Sequence, residues 1–291
     1  MTTTKENVMT DTTQERRTGT GIHYGAAPEV KLKHRAMWAL GDYPAVAHDI
    51  VAPLGALLVD ACLVTAGDRV LDVAAGTGTV AIPAAEAGAS VTASDLTPEL
   101  LAVGERAARA AGLDVAWEEG DAEALPYADG AFDVTTSCVG VMFAPFHQAA
   151  ADQLVRVTRP GGRIGLVSWT PEGFIGQMFS VMRPYAPPPP PGAQPPPLWG
   201  SEPHVLELLG DRVGDVETTR RQLPVDHFLD GAGFRDYFKA NYGPTIAVYR
   251  AIADDPDRVT TLDAALADLG DRHLDDGVMN WEYLLLTARR R

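Results

Sequence analysis

The sequence predicts an α/β fold in which a parallel sheet is covered by helices on both faces. Three observations support this prediction. A short apolar segment, 70–73, runs into a turn with Gly76 and Gly78 and then into a helical pattern over 80–87. Four more short apolar segments alternate with helical patterns as far as residue 169, as buried parallel strands do. Hydrophobic residues make up 46% of the 291 residues, which is enough to cover both faces of such a sheet.

The first part of the chain predicts a tail followed by helices. Residues 1–20 are rich in threonine and charge and lack an apolar signal core, which predicts a disordered tail. Residues 21–64 predict an N-terminal helical leader, in which Asp42 caps a helix that has Pro44 in its first turn. The leader contains three aromatic residues that either pack its helices onto the domain or fold over a bound ligand. They are Tyr24, Trp38 and Tyr43.

Residues 65–170 predict the core of the domain. Its five strands are expected over 70–73, 90–95, 115–120, 131–138 and 163–169. Thr97 is expected to be the N-cap of the helix after the second strand, because Pro98 suits the first helical position. A helix is predicted over 147–158, and the sequence Arg-Pro-Gly-Gly at 159–162 predicts a turn before the fifth strand.

The remainder of the chain predicts a cap and two further strands. Residues 171–215 form a proline-rich insert and cap, whose Phe, Met and Trp residues favour an ordered segment over a pocket rather than a solvated linker. A helix is expected over 202–209. Residues 216–291 predict C-terminal strands with a helical cap insertion: strands over 216–225 and 281–288, and helices over 230–269 that break at Asp255 and Pro256.

Charge and cysteine content exclude several function classes. The formal net charge of −15 disfavours nucleic acid and anionic membrane surfaces as partners. No apolar run reaches the length of a membrane span. Cys62 and Cys138 form neither a zinc pattern nor a disulfide framework, and no cluster of Asp, Glu and His suggests a metal site. We therefore expect a cytoplasmic protein without a metal, and a homo-oligomer remains open.

The glycine turn predicts a nucleotide site. Gly76, Gly78 and Ala81 fit the spacing of a dinucleotide fingerprint, but the acidic residue Asp72 before the turn does not belong to that fingerprint. Asp95, about 20 residues after the glycines, ends the second strand and can accept hydrogen bonds from both ribose hydroxyls. Both NAD and S-adenosylmethionine (SAM) carry that ribose, so this pair of signals leaves the two cofactors open.

Further motifs resemble one family. The segments Gly120–Pro126, Phe132–Val134 and Arg156–Gly162 follow the glycine turn in the order and spacing of the UbiE/COQ5-like class I SAM-dependent methyltransferases. The resemblance covers Val70–Trp169, and the leader around Trp38 and Tyr43 is similar to many bacterial members. It implies a Rossmann-like sheet of seven strands with the last strand antiparallel, SAM as cofactor and S-adenosylhomocysteine (SAH) as product.

The resemblance also implies a set of cofactor-binding residues. Asp72 holds the turn and contacts the methionyl amino group, Asp95 takes the ribose hydroxyls, and Leu96 packs on the adenine. Asp121 accepts from the adenine amino group, and the backbone N–H of Ala122 meets a ring nitrogen. The full expected set is Trp38, Asp72, Ala74, Gly76, Gly78, Asp95, Leu96, Asp121, Ala122, Ser137, Cys138 and Val139.

The sequence does not reveal a general base, so the catalytic residues stay unassigned. His147, Tyr24 and Tyr43 are weak candidates, and an amine, activated carbon or alkene acceptor needs no base. An apolar acceptor pocket is expected from nine residues, any of which could equally belong to the core. They are Phe143, Phe174, Met178, Phe179, Met182, Tyr185, Trp199, Phe238 and Tyr242. These residues favour a small or medium hydrophobic or aromatic acceptor.

The predicted function is methyl transfer from SAM to a small metabolite, most consistent with secondary (natural-product) metabolism. One alternative is C-methylation of a quinone ring, as the family resemblance suggests. A more distant alternative is a non-catalytic SAM-binding or proline-rich interaction module, which the intact Asp72, Asp95 and Asp121 disfavour. An NAD(P)-dependent enzyme is the fourth hypothesis, and the motifs after the third and fourth strands disfavour it.

Overall fold

A computed structural model describes residues 27–291. The predicted tail over 1–20 and the candidate residue Tyr24 lie outside the described residues.

The centre of the protein is one mixed sheet flanked by helices, so the predicted α/β architecture is confirmed. The strand order is β3-β2-β1-β4-β5-β8-β6, and β7 pairs only with the start of β8. Strands β1 to β5 are parallel, and β8 lies antiparallel between β5 and β6, as predicted for the last strand. The strands are β1 (Arg69–Val73), β2 (Ser90–Asp95), β3 (Val115–Glu119), β4 (Phe132–Cys138), β5 (Thr158–Trp169), β6 (Val213–Val225), β7 (Leu274–Asp275) and β8 (Val278–Arg290).

Eleven α-helices surround the sheet in the described part of the chain. They are α1 (Pro28–Trp38), α2 (Tyr43–Val46), α3 (Pro53–Ala61), α4 (Ala81–Glu86), α5 (Pro98–Ala110), α6 (His147–Val157), α7 (Phe174–Met182), α8 (Glu202–Leu209), α9 (Gly231–Asn241), α10 (Gly243–Ala251) and α11 (Pro256–His273). Asp42 caps α2 through a hydrogen bond from Ala45 N to its side chain, and the break before α11 falls at Asp255, as predicted. A π-helical turn, Ala47–Val51, joins α2 to α3.

One local prediction was wrong, and a second was confirmed in position but without the expected capping bond. Strand β5 begins at Thr158, and the predicted turn over 159–162 is a bulge within it: Phe132 pairs with Thr158, whereas Val134 pairs with Arg163. Gly161 has a φ of +73°, which a bulge requires and glycine tolerates. Thr97 stands at the N-cap of α5 without a side-chain capping bond, and its own N–H donates to Asp95 instead.

Within residues 27–291, no single helix has the length and apolar composition to cross a membrane. One bent pair passes the same test, Tyr43–Val51 with Pro53–Ala61, which turns by 62° at its break.

Candidate functional site

A pocket, which we call the main pocket, lies at the carboxyl ends of the first four strands. Ala74 and Gly76 follow β1, Asp95 ends β2, Asp121 follows β3 and Cys138 ends β4, and all five line a space of about 750 Å³. Strand β1 lies between β2 and β4, so the chain crosses the sheet in opposite directions on its two sides. Ligands of open α/β sheets bind at such a switch point.

Two non-glycine residues in this pocket have strained backbones. Ala74 has a φ of +54° and Val139 a φ of +44°, and they follow the neighbouring strands β1 and β4. Positive φ is costly for a β-branched residue and is concentrated at functional sites. Gly140, next to Val139, has no space for a Cβ, which would overlap the carbonyl oxygen of Ala74. The two strand ends therefore pack against each other as closely as backbone allows.

The glycine turn follows the same rule of close approach. Gly76 and Gly78 have φ values of +56° and +88°. A Cβ on Gly78 would lie 2.6 Å from the ring of Trp117, whereas a Cβ on Gly76 would meet nothing closer than Tyr43, at 3.6 Å. The two glycines therefore differ in purpose. Gly78 makes room for Trp117 below the turn, and Gly76 lines the pocket.

Asp95 fixes the turn and also faces the pocket. Its two carboxylate oxygens accept from Gly76 N and from Thr97 N, each at 2.8 Å. Burial raises the pKa of Asp95, and these backbone donors oppose the rise by stabilising the carboxylate. A carboxylate has about four lone-pair sites, so this one keeps acceptor capacity toward the pocket that it lines.

Asp72 lies beneath the turn rather than in the pocket wall. It is 1% exposed, and its side chain accepts from Ala81 N at 3.1 Å and from the Thr136 hydroxyl at 3.3 Å. Burial raises the pKa of Asp72 to about 7, although the bond from Ala81 lowers it. Asp72 therefore ties β1 to the first residue of α4, which is the turn-holding role that the sequence predicts for it.

A cluster of ionic groups closes one side of the pocket. Lys31 on α1 bridges Asp121 at 2.7 Å and Glu123 at 2.8 Å, and the Glu123 side chain is fully buried. Asp121 also accepts from Glu123 N at 3.0 Å. Lys31 thus attaches the leader helix to the loop after β3, at the position where the sequence predicts recognition of a purine.

Aromatic residues of the leader form the other side. The Trp38 ring packs edge-on against Tyr43, Phe143 and Tyr242, with centroid distances of 5.3, 4.8 and 5.7 Å. Burial raises the pKa of the Tyr43 hydroxyl above its usual range, and the nearby Cys138 and Asp95 add to the rise. Tyr43 is therefore neutral. Trp38 and Tyr43 pack the leader onto the domain and also line the pocket, and their contact with a ligand stays a prediction.

A second space, which we call the aromatic cavity, adjoins the main pocket. The two share Tyr43, Val139 and Phe143. Its wall consists of Tyr43, Val46, Val51, Val139, Phe143, Trp169, Ile175, Phe238, Tyr242 and Trp281. Val51 comes from the π-helical turn, a feature often found at functional sites. No Asp, Glu, Lys, Arg or His belongs to this wall.

The structure does not bring every predicted residue to the pocket. Ser137 is buried, donates to Val73 O at 2.7 Å and accepts from Val141 N at 2.8 Å, so its hydroxyl braces the backbone. His147, a weak catalytic candidate, lies under Trp199 and against His204, with Nδ1 and Nε2 3.0 Å apart. It lines neither cavity, and burial lowers its pKa to about 3. The structure therefore does not bring His147 to either cavity, and its catalytic role stays an untested prediction.

The proline-rich insert does not lie over the main pocket as predicted. It packs beside it: Gln194 N donates to Pro145 O at 2.9 Å, and Trp199 is buried next to His147. Of the nine expected acceptor-site residues, Phe143, Phe238 and Tyr242 line the aromatic cavity. The other six line neither cavity. They are Phe174, Met178, Phe179, Met182, Tyr185 and Trp199.

Sequence reasoning also missed residues that do line the main pocket. Lys31 and His34 join Trp38 there, and the spacing of i, i+3 and i+7 places all three on one face of α1. That spacing is visible in the sequence and could have identified them. Thr79, Leu100, Ala144 and Pro145 carry no such signal.

Comparisons with known proteins agree with the geometry. The model of a family described as a methyltransferase domain matches residues 70–162. Among solved structures, the YcgJ protein of Bacillus subtilis covers 81% of this chain and 97% of its own, with a TM-score of 0.55 and 19% identity. Phosphoethanolamine N-methyltransferase 2 of Haemonchus contortus, solved with SAH, covers 82% of this chain and 52% of its own, with a TM-score of 0.51 and 16% identity.

The chain belongs to the class I SAM-dependent methyltransferases. An uncharacterized protein of Mycobacterium tuberculosis is 56% identical over 257 residues, which cover 88% of this methyltransferase and 94% of that protein. A demethylmenaquinone methyltransferase of Thermus thermophilus is 40% identical over 127 residues, covering 42% of this chain and 58% of its own. The cyclase SpnF has the same fold, with a TM-score of 0.51 and 23% identity over 82% of this chain and 81% of its own.

The main pocket of this methyltransferase fits SAM. The turn at Gly76 lies open to the pocket, and the Asp95 carboxylate beside it retains acceptor capacity of the kind that a ribose diol needs. Leu96 and Leu100 provide apolar contact near Asp121, and Cys138 with Val139 leads toward the aromatic cavity. The pocket thus contains a polar end at Asp95 and, at Val139, borders an apolar space.

Proposed function

We propose that this methyltransferase transfers a methyl group from SAM to a small or medium, uncharged, hydrophobic or aromatic metabolite. The observation that carries the proposal is that the main pocket and the aromatic cavity share three wall residues, Tyr43, Val139 and Phe143. An acceptor in the aromatic cavity adjoins the strained Val139, at the end of the main pocket where Cys138 lies. The wall of the aromatic cavity contains two tyrosines and no other ionisable side chain. A charged acceptor is therefore disfavoured, since an unpaired buried charge is costly.

The residues that would hold the cofactor follow from the pocket. Asp95 would bind the ribose hydroxyls, Leu96 would pack on the adenine, and Asp121 with Ala122 would meet its polar edge. Gly76 and Ala74 would lie along the methionine portion, and Trp38 and Tyr43 would exclude water from above. Gly78, Asp72 and Ser137 would act from below by fixing the backbone.

SAM, when bound, supplies a methyl group activated by a positively charged sulfur. The protein's contribution is to orient the acceptor and to remove water. In the overall reaction a bond forms from an electron-rich atom of the acceptor to the methyl carbon, the carbon–sulfur bond breaks, and its electron pair remains on sulfur. The acceptor's proton is lost to solvent when the product leaves the site, because within residues 27–291 the wall of the aromatic cavity offers no general base: its ionisable side chains, Tyr43 and Tyr242, are held neutral by burial.

Secondary metabolism in the cytoplasm is the setting that we propose. The structural likeness to SpnF and the apolar cavity support a natural-product acceptor, and the net charge of −15 supports a small molecule over nucleic acid. A quinone ring is a second candidate acceptor, because the Thermus thermophilus relative is a demethylmenaquinone methyltransferase. That relative matches less than half of this chain, so the quinone remains the alternative.

Isothermal titration with SAH tests the cofactor assignment. We expect Asp95→Ala to weaken SAH binding by about tenfold or more, because hydrogen bonds to a carboxylate contribute about 1.5–3 kcal/mol each. The matched control is Asp133→Ala, which removes a carboxylate that pairs with Arg69 and Arg159 outside the pocket and should leave the affinity unchanged. Equal affinities for wild type and Asp95→Ala would contradict the assignment.

Transfer itself is tested with SAM labelled in its methyl group. The wild-type protein is incubated with a panel of neutral aromatic compounds, quinols and charged analogues, and the label in each product is counted. Labelling of neutral ring compounds supports the proposal, and labelling confined to quinols selects the alternative. SAH binding without transfer to any small molecule, together with conversion of an unsaturated compound, would instead indicate the type of chemistry named for SpnF.

A further inference from the structure

The sheet ends in two outer strands, of which β6 is much the longer. Strand β6 spans 13 residues, Val213–Val225, whereas β3 at the opposite end of the sheet spans five. One edge of β6 pairs with β8, and among the described residues no backbone hydrogen bond joins its other edge to any element. A long strand edge of this kind is a template for a further strand unless its sequence prevents pairing.

Two features limit the part of β6 that a further strand can join. A bulge interrupts the ladder with β8 between Gly214 and Glu217, and Asp215 within it has a φ of +47°. Near the other end, Pro224 has no backbone N–H to donate. Between these two features, residues 217–223 pair one to one with β8 without irregularity. We call the unpaired side of this segment the open edge.

The open edge carries opposite charges on one face of the strand. Glu217 and Arg221 are four residues apart, so their side chains lie on the same face of β6. Both are exposed, and neither forms an ion pair with a described residue. A strand with an acid near one end and a base near the other is complementary in charge to an antiparallel copy of itself. The occupant that these charges favour is therefore a second copy of this chain.

The geometry of a ladder restricts the register of such a pair. Only alternate residues of a strand point their N–H and C=O groups toward a given side, so residues that face each other across the open edge have the same parity. Proline fits a strand where its missing N–H faces away from the neighbouring strand, so Pro224 assigns the even-numbered residues to the open edge. Two identical antiparallel strands are then related by a two-fold axis that passes through a residue.

An axis through Thr219 matches the charges. It places Glu217 of each copy opposite Arg221 of the other copy. An axis through Glu217, Arg220 or Arg221 would place a charged residue opposite itself, which is unfavourable. An axis through any other residue of the segment forms no ion pair within it. Only the axis through Thr219 gives two ion pairs, one on each side of the centre.

Helix α8 offers an apolar contact beside the open edge. Glu202 at its start accepts a hydrogen bond from the Thr218 hydroxyl at 2.8 Å, so α8 lies alongside β6. Leu206 follows four residues later on the same face of the helix and is 37% exposed. A two-fold axis perpendicular to the sheet would place both α8 helices on the same face of the joined sheet, each presenting Leu206.

We propose that this chain forms a symmetric dimer in which the open edges of two copies pair antiparallel about Thr219. The two sheets then form one continuous sheet. The backbone groups of Thr218 in each copy pair with those of Arg220 in the other, and the two ion pairs between Glu217 and Arg221 determine the register. This proposal goes beyond the proposed function and does not depend on it, because the main pocket lies at the ends of β1 to β4, away from β6.

Sedimentation velocity over a wide range of protein concentration tests the proposal by charge reversal. We expect the wild type to change from monomer to dimer as its concentration rises. Arg221→Glu and Glu217→Arg should each weaken dimerisation by about tenfold or more, because each variant places like charges opposite one another at both ends of the ladder. An equimolar mixture of the two variants restores both ion pairs between unlike copies, so it should dimerise about as tightly as the wild type.

The matched control is Glu86→Arg at the end of α4. Glu86 is exposed and forms no ion pair with a described residue, and its substitution changes the net charge by the same amount as Glu217→Arg. This variant should dimerise as the wild type does. SAH affinity should be the same in all of these variants, which shows that each one is folded. Failure of the wild type itself to bind SAH would contradict the proposed function and not the dimer.

Several results would overturn the proposal. They are a wild type that stays monomeric at every concentration, a dimer that neither charge reversal weakens, and a mixture that dimerises no better than its two components. An equal loss in Glu86→Arg would also overturn it, since the effect would then come from net charge rather than from the open edge.

Hydrogen exchange of the wild type provides a measurement without any substitution. The amides of Thr218, Arg220 and Gln222 are the ones expected to point to the open edge, whereas those of Thr219 and Arg221 point to β8. Dilution from dimer to monomer should speed exchange at the first three amides and leave the other two unchanged. Exchange at the even-numbered amides that does not depend on protein concentration would show that the open edge is not the interface.

Discussion

The carboxyl group of Asp72 is buried under the glycine turn, and its ionisation there should lower the stability of the fold. This expectation can be tested by substitution. Burial raises the pKa of Asp72 from its ordinary value of 3.8 to about 7. A group whose pKa is higher in the folded than in the unfolded chain stabilises the fold at low pH and loses that contribution as pH rises through the folded value. The substitution Asp72→Asn removes the ionisation and keeps a side chain that can accept from Ala81 N.

The magnitude follows from the shift. A rise of about three pH units corresponds to about 1.4 kcal/mol per unit, so the ionised Asp72 destabilises the fold by up to about 4 kcal/mol above pH 7. We therefore expect Asp72→Asn to be more stable than the wild type at pH 8, by as much as that amount. The advantage should shrink below pH 7 and vanish near pH 4. We also expect Asp72→Asn to bind SAH more weakly than the wild type does, so that the variant gains stability and loses function.

The assay is urea unfolding of the two proteins from pH 4 to pH 8, followed by circular dichroism. Asp133→Asn is the control of opposite sign, because Arg69 holds the pKa of Asp133 well below its usual range. That variant should be less stable than the wild type by a nearly constant amount from pH 4 to pH 8, because the contribution of a carboxylate with a lowered pKa is lost only below its unfolded value of 3.8. A constant difference between Asp72→Asn and the wild type across the pH range would refute the reasoning about burial.

Three further predictions concern the pocket and its surroundings. Lys31→Met removes one partner of the buried Glu123 and should lower the free energy of unfolding by about 2 kcal/mol. Amide hydrogen exchange in α1 should become faster. Unchanged exchange would show that other contacts hold this helix. Gly104→Ala places a Cβ against the Trp117 ring and should cost about 1–3 kcal/mol of stability in thermal melts, whereas an unchanged melting temperature would mean that the ring moves freely. His147→Ala should lower the melting temperature but leave SAH affinity and methyl transfer unchanged, and a loss of transfer at full SAH affinity would support a catalytic role for His147.

The sheet could be predicted because its information is local. Each of the strands around Val70, Val91 and Val134 is a short apolar run followed by its own turn, and parallel order follows from the helices between them. The bulge in β5 could not be read in this way. The sequence at 159–162 has the composition of a turn, and only the pairing of Thr158 with Phe132 shows that the strand continues through it.

The cofactor pocket was also largely accessible from the sequence, since most of its wall follows directly after strands. Asp95, Asp121 and Cys138 were found because a strand end determines where the next residues lie. Lys31 and His34 share one face of α1 with Trp38, which the sequence spacing shows, but that this face meets a pocket formed by distant strand ends appears only in the folded chain. Ser137 and His147 could not be placed from the sequence, because a polar side chain near a strand end has the same sequence signature whether it faces the ligand or the backbone.

The aromatic cavity marks the limit of what a sequence can show. Its wall combines Tyr43 and Val51 of the leader, Val139 after β4, Phe238 of α9 and Trp281 of β8. The sequence around these residues has the same apolar character and spacing as the sequence around Phe174. Phe174, however, is buried in the core and stacks on Trp281. What separates a cavity wall from a core is a small shortage of packing atoms, and that shortage arises only when distant elements meet. If the acceptor binds in this cavity as we propose, its recognition depends on the parts of the chain whose sequence signal is weakest.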